Sequence, residues 1–437
     1  MALDVRLSPM RTARRRGLVA TCILVALLAA LPAGNASAAK PAPTASETRE
    51  ALFVANNWEG TADLIDPQTF QRLQRINVIP DKEQREAEIK SNPLKLAYFL
   101  AIRQFVGEGN DQYVDDMFSS PDGRFVYVSR PSFADVVAID LSTDPKMPRI
   151  AWRFPMEGYR SDHMAINREG SRLLVSDSTA RKAHVLDPRP DATQRKVGEF
   201  PSGDSPHENN FSADESRIFH ASIGHVFTPA DNPKFDSTKG DRWFQVVDAN
   251  SHQVTKRLDI GKILKRWDIG EKLAEFGRDD MDSAVRPMAI APGERIFYLQ
   301  LSFLHGFVEF DLEQEKPLRI AHLPKRTNEP RENYLLDSAH HGLNINGDGT
   351  RLCAAGTMDN YAAIVDRSDF RSKILDVGEK PYWSTNNSDG TICFVSVSGN
   401  DRVSAISYGS RKEIARITVG DHPQRMRMGK IRSDYLP

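Results

Sequence analysis

The sequence repeats itself, and that repetition constrains the fold more tightly than any single motif. Its clearest unit, YVDDMFSSPDGRFVYVSRPSFADVVAIDLS, runs from Tyr113 to Ser142. The unit recurs as RSDHMAINREGSRLLVSDSTARKAHVLDP from Arg160 and as KPYWSTNNSDGTICFVSVSGNDRVSAISY from Lys380. Each copy reads as a short strand, a turn carrying Asp-Gly or Glu-Gly, a second strand of alternating apolar residues, a polar loop and a third strand that usually ends in Asp. Weaker copies start at Ser205, Val285 and His340. A further copy is divided between the chain ends: 52–57 and 62–66 supply second and third strands, and Asp421 to Met428 matches the first strand that opens near Glu379. Pairing tail with head closes a ring and removes the bare strand edges of an open array. The expected architecture is therefore all-β, a seven-bladed β-propeller of four-stranded blades closed by its N- and C-terminal segments, spanning 51–437.

The segments Phe53-Val54-Ala55-Asn56 and Tyr127-Val128-Ser129, set between Asp-Gly turns and V-x-x-I-D strands, resemble the YVTN family of bacterial seven-bladed propellers, a group that is similar to the quinoprotein amine dehydrogenase β-chain. The resemblance covers nearly all of the chain after residue 38. It implies the fold and leaves function open, because related propellers serve as binding modules, lactonases, lyases and the propeller parts of haem and quinone oxidoreductases.

The first 38 residues read as a secretory signal peptide: a basic stretch, an apolar run from Leu18 to Leu31, then the small-residue cleavage site Ala36-Ser37-Ala38. Arg14-Arg15-Arg16 admits either ordinary secretion or twin-arginine export, so the expected location is the periplasm or the medium. Residues 39–50 form an N-terminal extension of the mature protein. With 58 Lys+Arg against 59 Asp+Glu, the chain carries no global field for a polyanion, and no nucleic-acid partner is expected. The basic run Arg425, Arg427, Lys430 and Arg432 reads as solvation of an edge strand. No stable membrane insertion is expected after cleavage, and the mature protein reads as a monomer.

Three cysteines exclude a disulfide scaffold or a multi-cysteine metal cluster. Cys22 lies in the signal segment. Cys353 follows Gly349 by four residues and Cys393 follows Gly390 by three, so the two sit on opposite pleat faces of second strands in consecutive blades. Facing blades present opposite faces, which allows a bridge between blades six and seven; two buried thiols are the alternative.

The first strand of every propeller blade lines the central channel. Registering the copies places Asp115 and Asp116, Asp162 and His163, His207 and Glu208, Arg286, His340 and His341, Tyr382 and Trp383, and Gln424 and Arg425 around its mouth. Closure alone would be served there by Pro, Ala, Val or Ser. Insertions at 74–110 and 262–284, both with helical patterns, at 324–338 and at 223–242 should crowd the same face. His163, His207 and His341 with the neighbouring carboxylates suit a divalent metal. A hydrogen-bonded polar channel is the alternative, and so is an organic ligand or anion held by Arg286 and Arg425 against Tyr382 or Trp383.

No covalent haem motif, zincin motif, nucleophile elbow or phosphate loop is present in the sequence. Three functional readings follow. The first is a module that binds a small-molecule or peptide ligand, with or without a divalent metal, at the channel mouth. The second is a metal-dependent, lactonase-like hydrolase or lyase in which His163 or His207 moves a proton. The third is an oxidoreductase with a non-covalent cofactor.

Overall fold

The computed structural model describes residues 48–226, 232–267 and 284–437. The signal segment and most of the N-terminal extension lie outside the described residues. Seven antiparallel four-stranded sheets follow one another around a ring. Blade one takes its innermost strand, Pro423–Arg432, from the end of the chain and its other three, Thr48–Asn56, Thr61–Ile65 and Arg72–Asn77, from the beginning. The closing pair runs in register from Thr48 against Arg432 to Asn56 against Pro423. Blades two to seven open with Met117–Ser119, Ser161–Ile166, Pro206–Phe211, Val285–Ile290, Gly342–Ile345 and Pro381–Asn386.

Seven apolar clusters fill the seven interfaces between neighbouring blades. Phe53, Val126 and Val137 join blades one and two; Tyr127 and Val175 join two and three. Phe200 and Ile218 join three and four, Phe219 and Phe297 four and five, and Tyr298 and Leu352 five and six. Val395 and Ile364 join six and seven, and Val54, Trp383 and Phe394 complete the circle. Because each blade is covered on both faces, second strands such as Phe125–Arg130 are buried from end to end. This accounts for near-continuous apolar runs where a one-sided sheet would alternate.

The turn between the first and second strands needs a left-handed residue. Gly123 supplies it at φ +68°, and a Cβ there would also meet the backbone of Ile431 and Arg432 at 2.8 Å, where the closing strand docks. In blades four and five the same conformation falls on Glu215 (φ 59°) and Glu294 (φ 55°), which is why those copies of the repeat are faint.

The first insertion opens at Val78, because Arg72–Asn77 is the fourth strand of blade one. Two helices follow, α1 (Lys82–Lys90) and α2 (Pro93–Phe105), with Asn92 capping α2 through its side-chain oxygen to the N–H groups of Leu94 and Lys95 at 3.1 Å. Asp81, just ahead of α1, pairs with the fully buried Arg130, whose other partner is Asp135 at 2.7 Å. That ion chain ties the helical hairpin to blade two. In the second insertion α3 (Ile260–Arg266) begins slightly ahead of the expected segment, and 268–283 lie outside the described residues. Among the described residues no helix is long and apolar enough to cross a membrane.

A disulfide joins Cys353 of blade six to Cys393 of blade seven across a Cα separation of 6.5 Å, closing a loop of 40 residues. A cross-link over a loop of that length removes about 4 kcal/mol of chain entropy from the unfolded state. Replacing both cysteines by alanine, or adding reductant, should lower the denaturation midpoint by an amount equivalent to about 2–4 kcal/mol. Equal midpoints for reduced and oxidised protein would contradict this.

Candidate functional site

The innermost strands share an irregularity that builds the site. In blades three, four, five and seven the pairing steps from Ser161 to Met164, Pro206 to Asn209, Val285 to Met288 and Pro381 to Ser384, while the second strand advances by only two residues. The closing strand does the same between Pro423 and Met426. Each is a bulge of two residues against one, which re-aims side chains that strict alternation would send to opposite faces. The doubled residues are Asp162 and His163, His207 and Glu208, Arg286 and Pro287, Tyr382 and Trp383, and Gln424 and Arg425. They coincide with the mouth positions read from the repeat.

The imidazoles converge. The His163 and His207 ring centres are 3.8 Å apart, His207 and His341 5.5 Å, and His341 stacks on Tyr382 at 4.3 Å. All three histidines are buried. One ligating atom each from Asp162, His163 and His207 lies within 4.8 Å of the others. His341 is the neighbour of that trio rather than its third member. Glu208 Oε2 lies 2.9 Å from His163 Nδ1, off the N–H direction, so neither atom forms a hydrogen bond. Both ring nitrogens of His163 and of His341, and Nδ1 of His207, are buried without a hydrogen-bond partner. Unpartnered buried polar atoms cost free energy, and these five nitrogens belong to three neighbouring rings at the channel mouth.

Electrostatics keep these rings neutral. Burial first, and then the Arg425 guanidinium, hold His163, His207 and His341 well below the usual imidazole range. Burial pushes the Glu208 carboxyl up to about 7 and raises Asp115 as well, against the pull of Arg425.

The guanidiniums are held in place from behind. Asp115 pairs with Arg425. Asp116 takes both arms of Arg427 at 2.7 and 2.9 Å and also accepts from the N–H groups of Met117 and Met164. Arg160 donates to Asp162 at 2.5 Å, and Ser178 donates to the same oxygen. Arg425 and Arg427 flank Trp383, with their centres 5.2 and 5.0 Å from the ring.

Above the imidazoles lies a small cavity, with about 20 Å³ open to the centre of a water-sized sphere. Its polar lining is Arg160, His207, Arg286, His341, Tyr382 and Arg425. The roof is apolar: Val106 from the segment after α2, Ile223 and Val226 from the blade-four insertion, and Leu336 from the 324–338 connector. Three of the four insertions thus cover the mouth.

Several expectations need correction. His340 does not join the ring. Blade six pairs without a bulge from Gly342 against Ala355 onward, and His340 turns off the axis to Asp359 at 2.9 Å. Asp359 also lies 2.6 Å from His305 Nδ1, and His305 Nε2 meets the Tyr334 hydroxyl at 3.0 Å, which fastens the connector to blade six. Asp116 is saturated by its four donors and has no free lone pair to offer a ligand. Arg425 and Arg427 do not solvate an edge, since their strand is innermost in blade one. Arg160 and Arg427 were missed; the period of two from Arg425 would have revealed Arg427.

Behind the ring, Asn209 donates to the His163 carbonyl at 3.2 Å, and its oxygen meets His220 Nδ1 at 2.8 Å, while Ser202 meets His220 Nε2 at 2.7 Å. Burial lowers the His220 pKa to about 3.

No protein-family model matches the sequence, and no curated protein matches it. Among solved structures the chain is similar to Kuenenia stuttgartiensis hydrazine synthase, with a TM-score of 0.50 and 13% identity over 71% of this chain and 88% of that one. That likeness shows a shared fold.

The His220 shift predicts the sign of acid sensitivity. Below about pH 6.5 the unfolded chain protonates this imidazole while the folded chain refuses the proton until about pH 3, so stability is lost as pH falls through that window. The loss attributable to His220 approaches about 1.4 kcal/mol per pH unit. Urea titrations of His220→Gln between pH 6 and pH 4 should show a shallower decline than the parent; parallel declines would refute the assignment.

Proposed function

We propose that the channel mouth is a ligand-binding site built on a divalent transition metal, held by His163, His207 and Asp162, in an exported YVTN-like propeller. The observation that carries this reading is the set of buried, neutral, unpartnered imidazole nitrogens beside a carboxylate. Two histidines and one carboxylate suit Zn or Fe, and His207 of the three also lines the cavity. Glu208 lies 2.9 Å from Nδ1 of His163, beside the proposed ligands. When bound, the metal would supply Lewis acidity to a ligand in the cavity.

The bridge between Cys353 and Cys393 favours an oxidising compartment and so supports the export reading of 1–38. The YVTN resemblance, the 51–437 domain and the monomeric state belong to the same proposal. The hydrolase or lyase reading gains one observation: Glu208, titrating near 7, suits proton transfer better than imidazoles held far below neutrality.

Metal analysis of protein purified without chelators tests the reading. The parent and His341→Ala should each hold one equivalent of metal, and His163→Ala/His207→Ala should hold less than a tenth of that while remaining folded. A parent that takes up no zinc on titration would overturn the proposal.

A further inference from the structure

The chemistry of the cavity selects its ligand. Three guanidiniums, Arg160, Arg286 and Arg425, face one small space, and no carboxylate lines it among the described residues. The carboxylates stand one layer back: Asp162 behind Arg160 and Asp115 behind Arg425. The ring is thus layered by charge, with the positive layer toward the cavity. The imidazoles that line the cavity, His207 and His341, bring no negative charge for a cationic ligand.

From this geometry we infer that the site binds a small oxyanion, a carboxylate or similar group of about three or four heavy atoms, gripped by Arg286 and Arg425 beside the His207 and His341 side chains. This deepens the proposed function and rests on it only for the metal contact. Guanidinium forks match the two oxygens of such a group, and an apolar roof of Val106, Ile223, Val226 and Leu336 keeps bulk water from screening the attraction. Size follows from volume: about 20 Å³ for sphere centres holds one or two water-sized groups and excludes an aromatic acid.

The test is calorimetric titration of sodium formate into the full-length mature protein, zinc-loaded and metal-free, in a chloride-free buffer. Acetate, benzoate and methylammonium serve as comparators. Zinc-loaded parent protein should bind one equivalent of formate, at least tenfold more tightly than benzoate, with no binding of methylammonium. Arg286→Gln should weaken formate binding at least tenfold while keeping its zinc equivalent. Folded, zinc-loaded parent that binds no formate, or Arg286→Gln that binds it as the parent does, overturns the inference while sparing the metal reading. Formate binding to metal-free protein with the same dependence on Arg286, in a chain that takes up no zinc, leaves the inference standing and removes the metal. If Arg286→Gln fails to fold, the parent's size series decides, and equal or tighter binding of benzoate counts against the inference.

Discussion

The pairing of Pro423–Arg432 with Thr48–Asn56 is the constraint on which the rest of the structure depends. It converts a row of blades into a ring and places an apolar cluster at every interface, including the one between blades seven and one. It also delivers chemistry, since the same strand carries Arg425 and Arg427 to Asp115 and Asp116 across the junction between blades one and two. A strand whose backbone closes the circle and whose side chains neutralise two buried carboxylates couples stability to the site. Removing either arginine would leave a buried charge uncompensated, which is far costlier than losing a surface pair.

The repeated bulge is the second device. A regular inner strand offers the channel alternate residues; the two-against-one step lets a pair of neighbours turn toward the axis. Five blades use it. The channel mouth thereby acquires more side chains than seven regular strands could give it, dense enough for imidazole, carboxylate and guanidinium to sit in successive layers. The layers explain the electrostatics: carboxylates hold the arginines, and the arginines with burial hold the imidazoles neutral.

Much of this was legible in the sequence because the repeat fixes register. The Asp-Gly turns mark where each first strand ends, and counting back from them finds Asp162, His163, His207, Glu208, Tyr382 and Trp383 together. The reading failed where a local rule changes. His340 and His341 look equivalent until blade six is seen to lack the bulge, after which ordinary alternation sends one of them to Asp359. Arg427 was hidden because the basic run from Arg425 to Arg432 read as solvation of an edge strand, although the tail itself matches the first strand that lines the channel. The start of the first insertion was set too early because Arg72–Asn77, a half-buried outer strand with polar residues on its open side, carries little apolar signal. Pleat parity allowed the disulfide, since two residues on opposite faces of consecutive blades meet across their shared interface, but left two buried thiols as the alternative until the 6.5 Å Cα separation was seen.

The central claim is that Asp162 and His163 of blade three and His207 of blade four converge at the channel mouth to hold a metal. Anomalous X-ray diffraction from zinc-soaked crystals addresses it most directly. The account predicts one strong peak about 2.0–2.2 Å from an imidazole nitrogen of His163, one of His207 and an oxygen of Asp162. A peak instead between His305, Asp359 and His340, with the channel-mouth imidazoles bound only to water, would contradict it.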